Sequence, residues 1–492
     1  MDFLDPKRKK SHRKRLFLGY LLMAVAVAMG TLILLFSAFG YDVDRKTGDV
    51  IQNGTVFVDS QPGNSNMYLN GGLQGNKTAS RLVLPGSKQY TIKLTQNDYR
   101  DWSRTFTLEG GRIERLVYPL LVPKTLAATE SQLYASAPGV TSQSPDKRWL
   151  LVQQPGQTYA FDLYDLNSPT APPAILTIPA AILTEPAKNA ALSVVQWATD
   201  NRHVLLRRDF EGANEFLMLD TTAVASSVNI NTTLTVSPTD VTLRDKKSDQ
   251  IYIYDAAGGV LRQGDMKNRT VSGALLNNVL SFKSYGPDII LYATKTGAEL
   301  NKVAVRIREN DKASYLLKSI PEASSYLLDT DQFDGTPYYI VGTNVDDAVF
   351  VYRDPLPTLK GQQNKALLIP SVLRLTNPRF VSFSADSHLI AAQSGNNVIV
   401  YDIEGDRQFK LLLNHVIDPS EKLVWMDSFR FKLVDKNIGY MVDFDGSNEQ
   451  PLVPSLAGGP YFTADLKSMI NLAPSKTVTG RVSLTLTSLQ TK

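Results

Sequence analysis

The feature that most limits the fold is a repeat that begins after Pro123. In each unit a turn carrying Asp or Asn is followed by a short apolar strand, a gap, and a strand of the type Val-x-Val-Tyr-Asp. The clearest copy is RFVSFSADSHLIAAQSGNNVIVYDIEGDRQFKLLL (379–413), and two others occupy 141–166 and 194–220. Weaker copies pass through 249–259, 279–305, 332–352, 422–446 and 461–486. The first and last turn residues, Asp146 and Asp465, lie 319 positions and seven steps apart, a period of about 46. Units of about 40–50 residues with some four short strands each are blades of a β-propeller. Val398 and Val400 fall on one face of their strand and Ile399 and Tyr401 on the other. Both faces are apolar, as a sheet sandwiched between two neighbours requires. The spacing predicts one propeller over 124–492 with eight blades, or seven if one weak unit is an inserted hairpin. The last strand, GRVSLTLTSL (480–489), is expected to complete a blade near the first, because closure removes free sheet edges.

From "FSADS" through "VIVYDIEGD" the units resemble WD-repeat and Tol-type propellers. The Tol-type group is nearer, since the Gly-His and Trp-Asp dipeptides of strict WD repeats are missing. Asp165, Asp255 and Asp402 each follow a Tyr at a strand end. They read as turn caps at equivalent positions, bonded to nearby backbone N–H groups, rather than as a ring of ligand-binding carboxylates.

Residues 1–15 hold seven basic groups against two acidic ones, while the rest of the chain has 45 basic and 46 acidic residues. The net charge of +4 therefore belongs to the tail, and nucleic-acid binding by a folded basic face loses its support. The 25 residues Leu16–Gly40 carry no charge. A helix of that length covers roughly 37 Å, enough to cross about 30 Å of hydrocarbon. Positive charge before it, with Asp42 and Asp44 after it, places the N-terminus in the cytoplasm and everything beyond Tyr41 outside. A cleaved signal peptide is the rival reading, with small residues around Ala38-Phe39-Gly40, but a secretory apolar core is only about 7–15 residues long. No second run of this kind follows, so the chain is read as single-pass, with 16–40 in the bilayer.

Residues 41–123 read as a small β-sandwich. Strands are expected at 54–60, 66–70, 81–84, 90–96 and 103–109, with a last one closing at Pro123. Turns fall at Gln61-Pro62-Gly63-Asn64, Asn70-Gly71-Gly72 and Pro85-Gly86-Ser87. Over about 53–123, the order Pro-Gly turn, YLNG, Gly75-x-x-Thr78, LPG, YTIKL and DYRDW resembles the PEGA domain of bacterial surface proteins. The resemblance implies a fold and brings no catalytic residues. The naming motif reads Pro62-Gly63-Asn64-Ser65, Ala79 replaces the usual Pro and Asp98 the usual Gly, so no ligand is carried over. Tyr99 and Trp102 are candidates for a sugar-facing pair; because they flank a strand, packing is the preferred reading.

The absence of cysteine excludes disulfides, thiol nucleophiles and thiolate metal sites. The four histidines (His12, His203, His388 and His415) are scattered, so a histidine-rich metal centre is not expected. Ser144-Pro145-Asp146-Lys147, Ser227-Val228-Asn229 and Lys295-Thr296-Gly297 follow the S-x-x-K, S-x-N, K-T-G order of penicillin-binding proteins and serine β-lactamases. That chemistry needs the Ser to open a helix so that the Lys one turn later faces it, whereas Ser144 falls on a turn. Asp329, Asp331 and Asp334, Asp346 and Asp347, and Asp443 and Asp445 read as solvated loop groups rather than calcium ligands. No catalytic, cofactor-binding or metal residue is assigned, and no cofactor. The Pro-rich stretches 167–192 and 353–372 read as long surface loops, where propellers carry function. The expected protein is a membrane-anchored, extracytoplasmic, all-β binding or scaffold protein of the bacterial cell envelope. Its partner would be an envelope protein or cell-wall glycan, and it would not be an enzyme. The alternative is a propeller hydrolase or lyase with its active site at the central channel, which the scarcity of histidine counts against.

Overall fold

A computed structural model describes residues 6–43, 48–184, 189–310, 314–361, 369–456 and 458–491, with the side chains of 6–12 outside that description. Residues 1–5 of the basic tail therefore lie outside the described residues, as do 185–188 and 362–368 of the two Pro-rich stretches. Contacts divide the chain into two units, 1–125 and 126–490, leaving aside the last two residues.

In the first unit a helix runs from Pro6 to Ala38. Its apolar stretch, Arg13–Ala38, is long enough to cross a membrane, and none of it is covered by protein. Gly40 ends it with φ +76°, a conformation that favours glycine. Two four-stranded sheets follow. In one, Val50–Val58 pairs antiparallel with Tyr41–Val43 and Ser80–Pro85 and parallel with Ile113–Leu116. The other runs Gly72–Lys77, Asn66–Leu69, Lys88–Thr95, Trp102–Leu108. Between them are buried Val56, Met67, Ile92, Leu94, Phe106 and Leu116. Strict alternation along Trp102–Leu108 also turns Arg104 inward, where it donates to the Tyr118 hydroxyl and faces Glu114 at 3.7 Å. The last strand ends at Leu116, short of the expected Pro123; residues Leu120 and Pro123 make isolated bridges only.

The second unit contains eight four-stranded antiparallel sheets among the described residues, and each repeat unit falls in a sheet of its own. Within a sheet the strands follow chain order, as in Thr141–Gln143, Trp149–Gln153, Ala160–Asp165 and Ala174–Thr177. Successive sheets are joined by apolar layers: Leu151 and Phe161 of the first meet Val204 and Leu217 of the second, and Leu291 and Val305 of the fourth meet Tyr339 and Val341 of the fifth. The last sheet takes Tyr461–Phe462, Ser468–Pro474 and Val482–Ser488, then borrows its fourth strand, Ala128–Tyr134, from the start of the unit. It packs on the first sheet through Tyr134, Ile470 and Leu484 against Leu150 and Val152. The chain is therefore a propeller, all β beyond the N-terminal helix apart from short helical turns.

The Pro-rich stretches are not simply loops. Ala174–Thr177 and Ser371–Arg374 are the fourth strands of the first and fifth sheets, and Leu356–Gly361 is a short helix with Leu356 and Leu359 buried. An outermost strand has one unpaired edge, so prolines can flank it without breaking a ladder.

Candidate functional site

The first strand of each sheet is its end strand, and some first strands touch those of the next sheet: Ala191–Trp197 meets Asp240–Leu243, and Tyr326–Phe333 meets both Val279–Tyr285 and Phe380–Phe383. Three of the turns that follow first strands share one construction. Ser144 accepts a bond from Trp149 N at 2.9 Å and donates to Asp146, whose Oδ1 receives Arg148 N at 3.0 Å. Ser384 and Asp386 repeat this around Leu389 N and His388 N, as do Thr463 and Asp465 around Ser468 N and Lys467 N. Ser144 is thus the staple of a turn.

The other two acyl-transfer elements lie elsewhere. Ser227 accepts from Asp220 N at 3.0 Å, and Asn229 caps the Ile230–Leu234 helix. Lys295 is paired with Glu322 in a turn after the second strand of the fourth sheet. Turns after first and second strands of a meander point to opposite ends of the sheet, so Ser144 and Lys295 cannot share a reaction centre.

Asp165 and Asp402 close the third strands of their sheets, but Asp255 closes a second strand, so the three are not equivalent. A Tyr-Asp pair at a strand end says nothing about which strand it ends. All three do cap turns: Asp165 accepts from Asn167 N, Asp255 from Ala257 N and Asp402 from Gly405 N. The residue truly equivalent to Asp165 in the second sheet is Asp220, and with it comes a device that sequence reasoning missed. The basic residue two places after the turn Asp reaches the third-strand Asp: Arg148 to Asp165 at 3.0 Å, Arg202 to Asp220 at 2.5 Å, His388 to Asp402 at 3.1 Å. The signal was the recurring Asp-x-Arg/His. Burial alone would push the Asp220 carboxyl up, but Arg202 and the N–H groups of Thr222 and Ala223 hold it well below the usual range.

Asp329 and Asp331 are not in a loop; they lie on the first strand Tyr326–Phe333 of the fifth sheet. Asp443 is also misplaced by the sequence reading, being buried at the end of Ile438–Asp443. Asp346, Asp347 and Asp445 fall in turns, and Asp334 in the hairpin turn after Phe333. Among the described residues no group of three or more His, Asp or Glu is placed to hold a metal ion. Tyr99 and Trp102 are 3% and 2% exposed, and Trp102 meets Tyr118 edge-on at 5.9 Å, so neither is offered to a sugar.

Beside the first strands of the first two sheets lies a cavity of about 780 Å³. It runs from Gly139, Leu192 and Gly458 to Pro145, Thr199 and Lys246. Trp197 in its wall donates to Ser142 Oγ at 2.9 Å, tying the two first strands together. Asp329, on the first strand of the fifth sheet, lies near two lysines. Enclosure by protein raises the Asp329 carboxyl, with Lys283 and Lys422 opposing, and lowers the Lys422 ammonium.

The family model of the PEGA domain matches residues 53–120. Residues 53–120 are a PEGA domain. Its two sheets are those of the first unit, and its Pro-Gly turn is bound to the Gly-x-x-Thr element through Ser60 Oγ and Thr78 Oγ1, 2.7 Å apart. About two thirds to three quarters of the chain is similar to solved structures. One is the Cps50 (Swd1) β-propeller domain of Myceliophteria thermophila (11% identity, 73% of this chain and 99% of that one, TM-score 0.38). Others are Hsv2 of Kluyveromyces lactis (11%, 64% and 97%, 0.39) and the uncharacterized protein lmo1340 of Listeria monocytogenes EGD-e (12%, 68% and 94%, 0.39). None of the curated proteins compared matches the chain.

Proposed function

We propose that this is a single-pass membrane protein of the bacterial envelope, N-terminus inside, whose propeller binds and positions an envelope protein or a cell-wall glycan outside the cytoplasm. It catalyses no reaction on that partner. The observation that carries this reading is the commitment of Ser144: its hydroxyl both accepts and donates within a turn that recurs in two other sheets. Supporting it, His203, His388 and His415 each face a carboxylate within 3.1 Å. The PEGA domain adds a non-catalytic module typical of extracellular proteins. The test is capture of envelope components by the detergent-solubilised chain, with wild type and Ser144→Ala expected to retain the same partner. Hydrolysis of a glycan, peptide or acylating β-lactam probe that Ser144→Ala abolishes would overturn the reading.

A further inference from the structure

The apolar stretch Arg13–Ala38 has 26 residues and rises about 39 Å, more than the roughly 30 Å of a hydrocarbon layer, so its last turn stands among headgroups. The chain reverses at Phe39-Gly40, and the Tyr41 ring stacks on Phe36 at 4.9 Å. Tyr41–Val43 then pairs with Val50, Ile51 and Gln52, beyond Asn53, where the pairing of that strand with Ser80–Pro85 stops. Asn53 N donates to Gly40 O at 2.8 Å, and Gln52 Nε2 to Phe39 O at 3.2 Å. Two turns of the PEGA domain close on the same spot. Gly86 N donates to Gln52 O at 2.9 Å and Gly111 N to Asn53 O at 3.1 Å. A Cβ on Gly86 would lie 2.5 Å from Gln52 O, so the packing is tight. The end of the helix and the end of the domain are one hydrogen-bonded cluster.

The short strand pair has two unlike faces. Alternation puts Tyr41, Val43, Val50 and Gln52 on one face and Asp42 and Ile51 on the other. The face of Tyr41 is the one turned to Phe36 and hence to the helix. Phe39, Tyr41, Val43 and Val50 are 67%, 39%, 49% and 58% exposed. A contiguous exposed apolar patch marks an interaction surface, and aromatic side chains gather at the headgroup level of membranes.

We propose that this end of the PEGA domain is a lipid-facing surface, with Phe39, Tyr41, Val43 and Val50 set in the headgroup layer of the bilayer that the helix crosses. The domain then sits on the membrane and is not held above it on a tether. The inference rests on the anchor reading proposed above and adds a second membrane contact to it. The bilayer is the favoured occupant over a protein partner, because the patch continues the uncovered apolar surface of the helix.

The chain has no cysteine, so single cysteines at exposed positions report without background. Full-length Val25→Cys, Val43→Cys, Val50→Cys and Asn97→Cys variants are labelled with a fluorophore and reconstituted in vesicles of phosphatidylethanolamine and phosphatidylglycerol. Asn97 is exposed in the turn after Lys88–Thr95, about 25 Å along that strand from the Gly86 turn, and serves as the aqueous reference. A lipid carrying a headgroup-level quencher should quench the labels at 43 and 50 at least five-fold more than the label at 97. Iodide, present on both sides of the membrane, should act in the reverse order. Labels at 43 and 50 as open to iodide as the one at 97, with 25 still quenched by lipid, would overturn the inference and leave the anchor standing. Protection of 43 and 50 from both quenchers would mean that protein covers the patch, and would overturn it as well. A label at 25 open to iodide would remove the anchor and the inference together.

Discussion

Arg208 and Glu215, 0% and 1% exposed, face each other across the hairpin of the second sheet. Arg208 also donates to the Tyr159 hydroxyl at 2.8 Å, and Glu215 accepts from Asn229 Nδ2 at 2.6 Å. Such a pair contributes little net stability over an apolar pair of similar shape, because both charges have left water. Breaking it is another matter. Glu215→Ala strands the guanidinium and should cost about 3–5 kcal/mol, whereas Arg208→Met with Glu215→Leu should cost far less. Urea denaturation of the two variants checks this. The pair also holds Asn229: its amide donates to Glu215 and its side-chain oxygen caps a helix.

At the scale of strands and turns, the link between the first turn and the third strand gives a pH signature. Burial opposes the charge of His388, but Asp402 at 3.1 Å outweighs it and the His388 pKa is raised. A raised histidine favours the fold fully below its unfolded value of about 6.5, and that contribution disappears as pH climbs through the folded value. The stability gap between wild type and His388→Gln should therefore be full below about pH 6.5 and shrink as pH rises above it, read from denaturation midpoints. The apolar inner strands of each sheet were legible in the sequence because both faces are buried, as along Leu389–Ser394 and Asn397–Asp402. The outer ones were not. Ala128–Tyr134 and Gly72–Lys77 are polar and largely exposed, so their composition is that of a loop. The cavity was illegible for a different reason: Thr141 and Gly458 meet there from opposite ends of the repeat, and no local pattern marks them.

For the molecule as a whole, the decisive contact is the strand Ala128–Tyr134 against Val482–Ser488. Glu130 fastens it further, accepting from Lys476 N at 2.6 Å and Thr477 Oγ1 at 2.5 Å. Deleting residues 480–492 removes the strand that joins Ser468–Pro474 to Ala128–Tyr134 and uncovers the first sheet. The truncated chain should aggregate or melt well below the full one; an unchanged melting profile would show that closure contributes nothing. The same contact sets a schedule for synthesis. Tyr134 and its partner Val482 are 348 positions apart. At about 5–20 residues per second, the early strand waits roughly 17–70 s for its mate to be made. Throughout that time Leu150 and Val152 have no covering layer. A nascent chain in this state is a substrate for aggregation and proteolysis, and its yield should be set by how well its surroundings shield one unmatched strand.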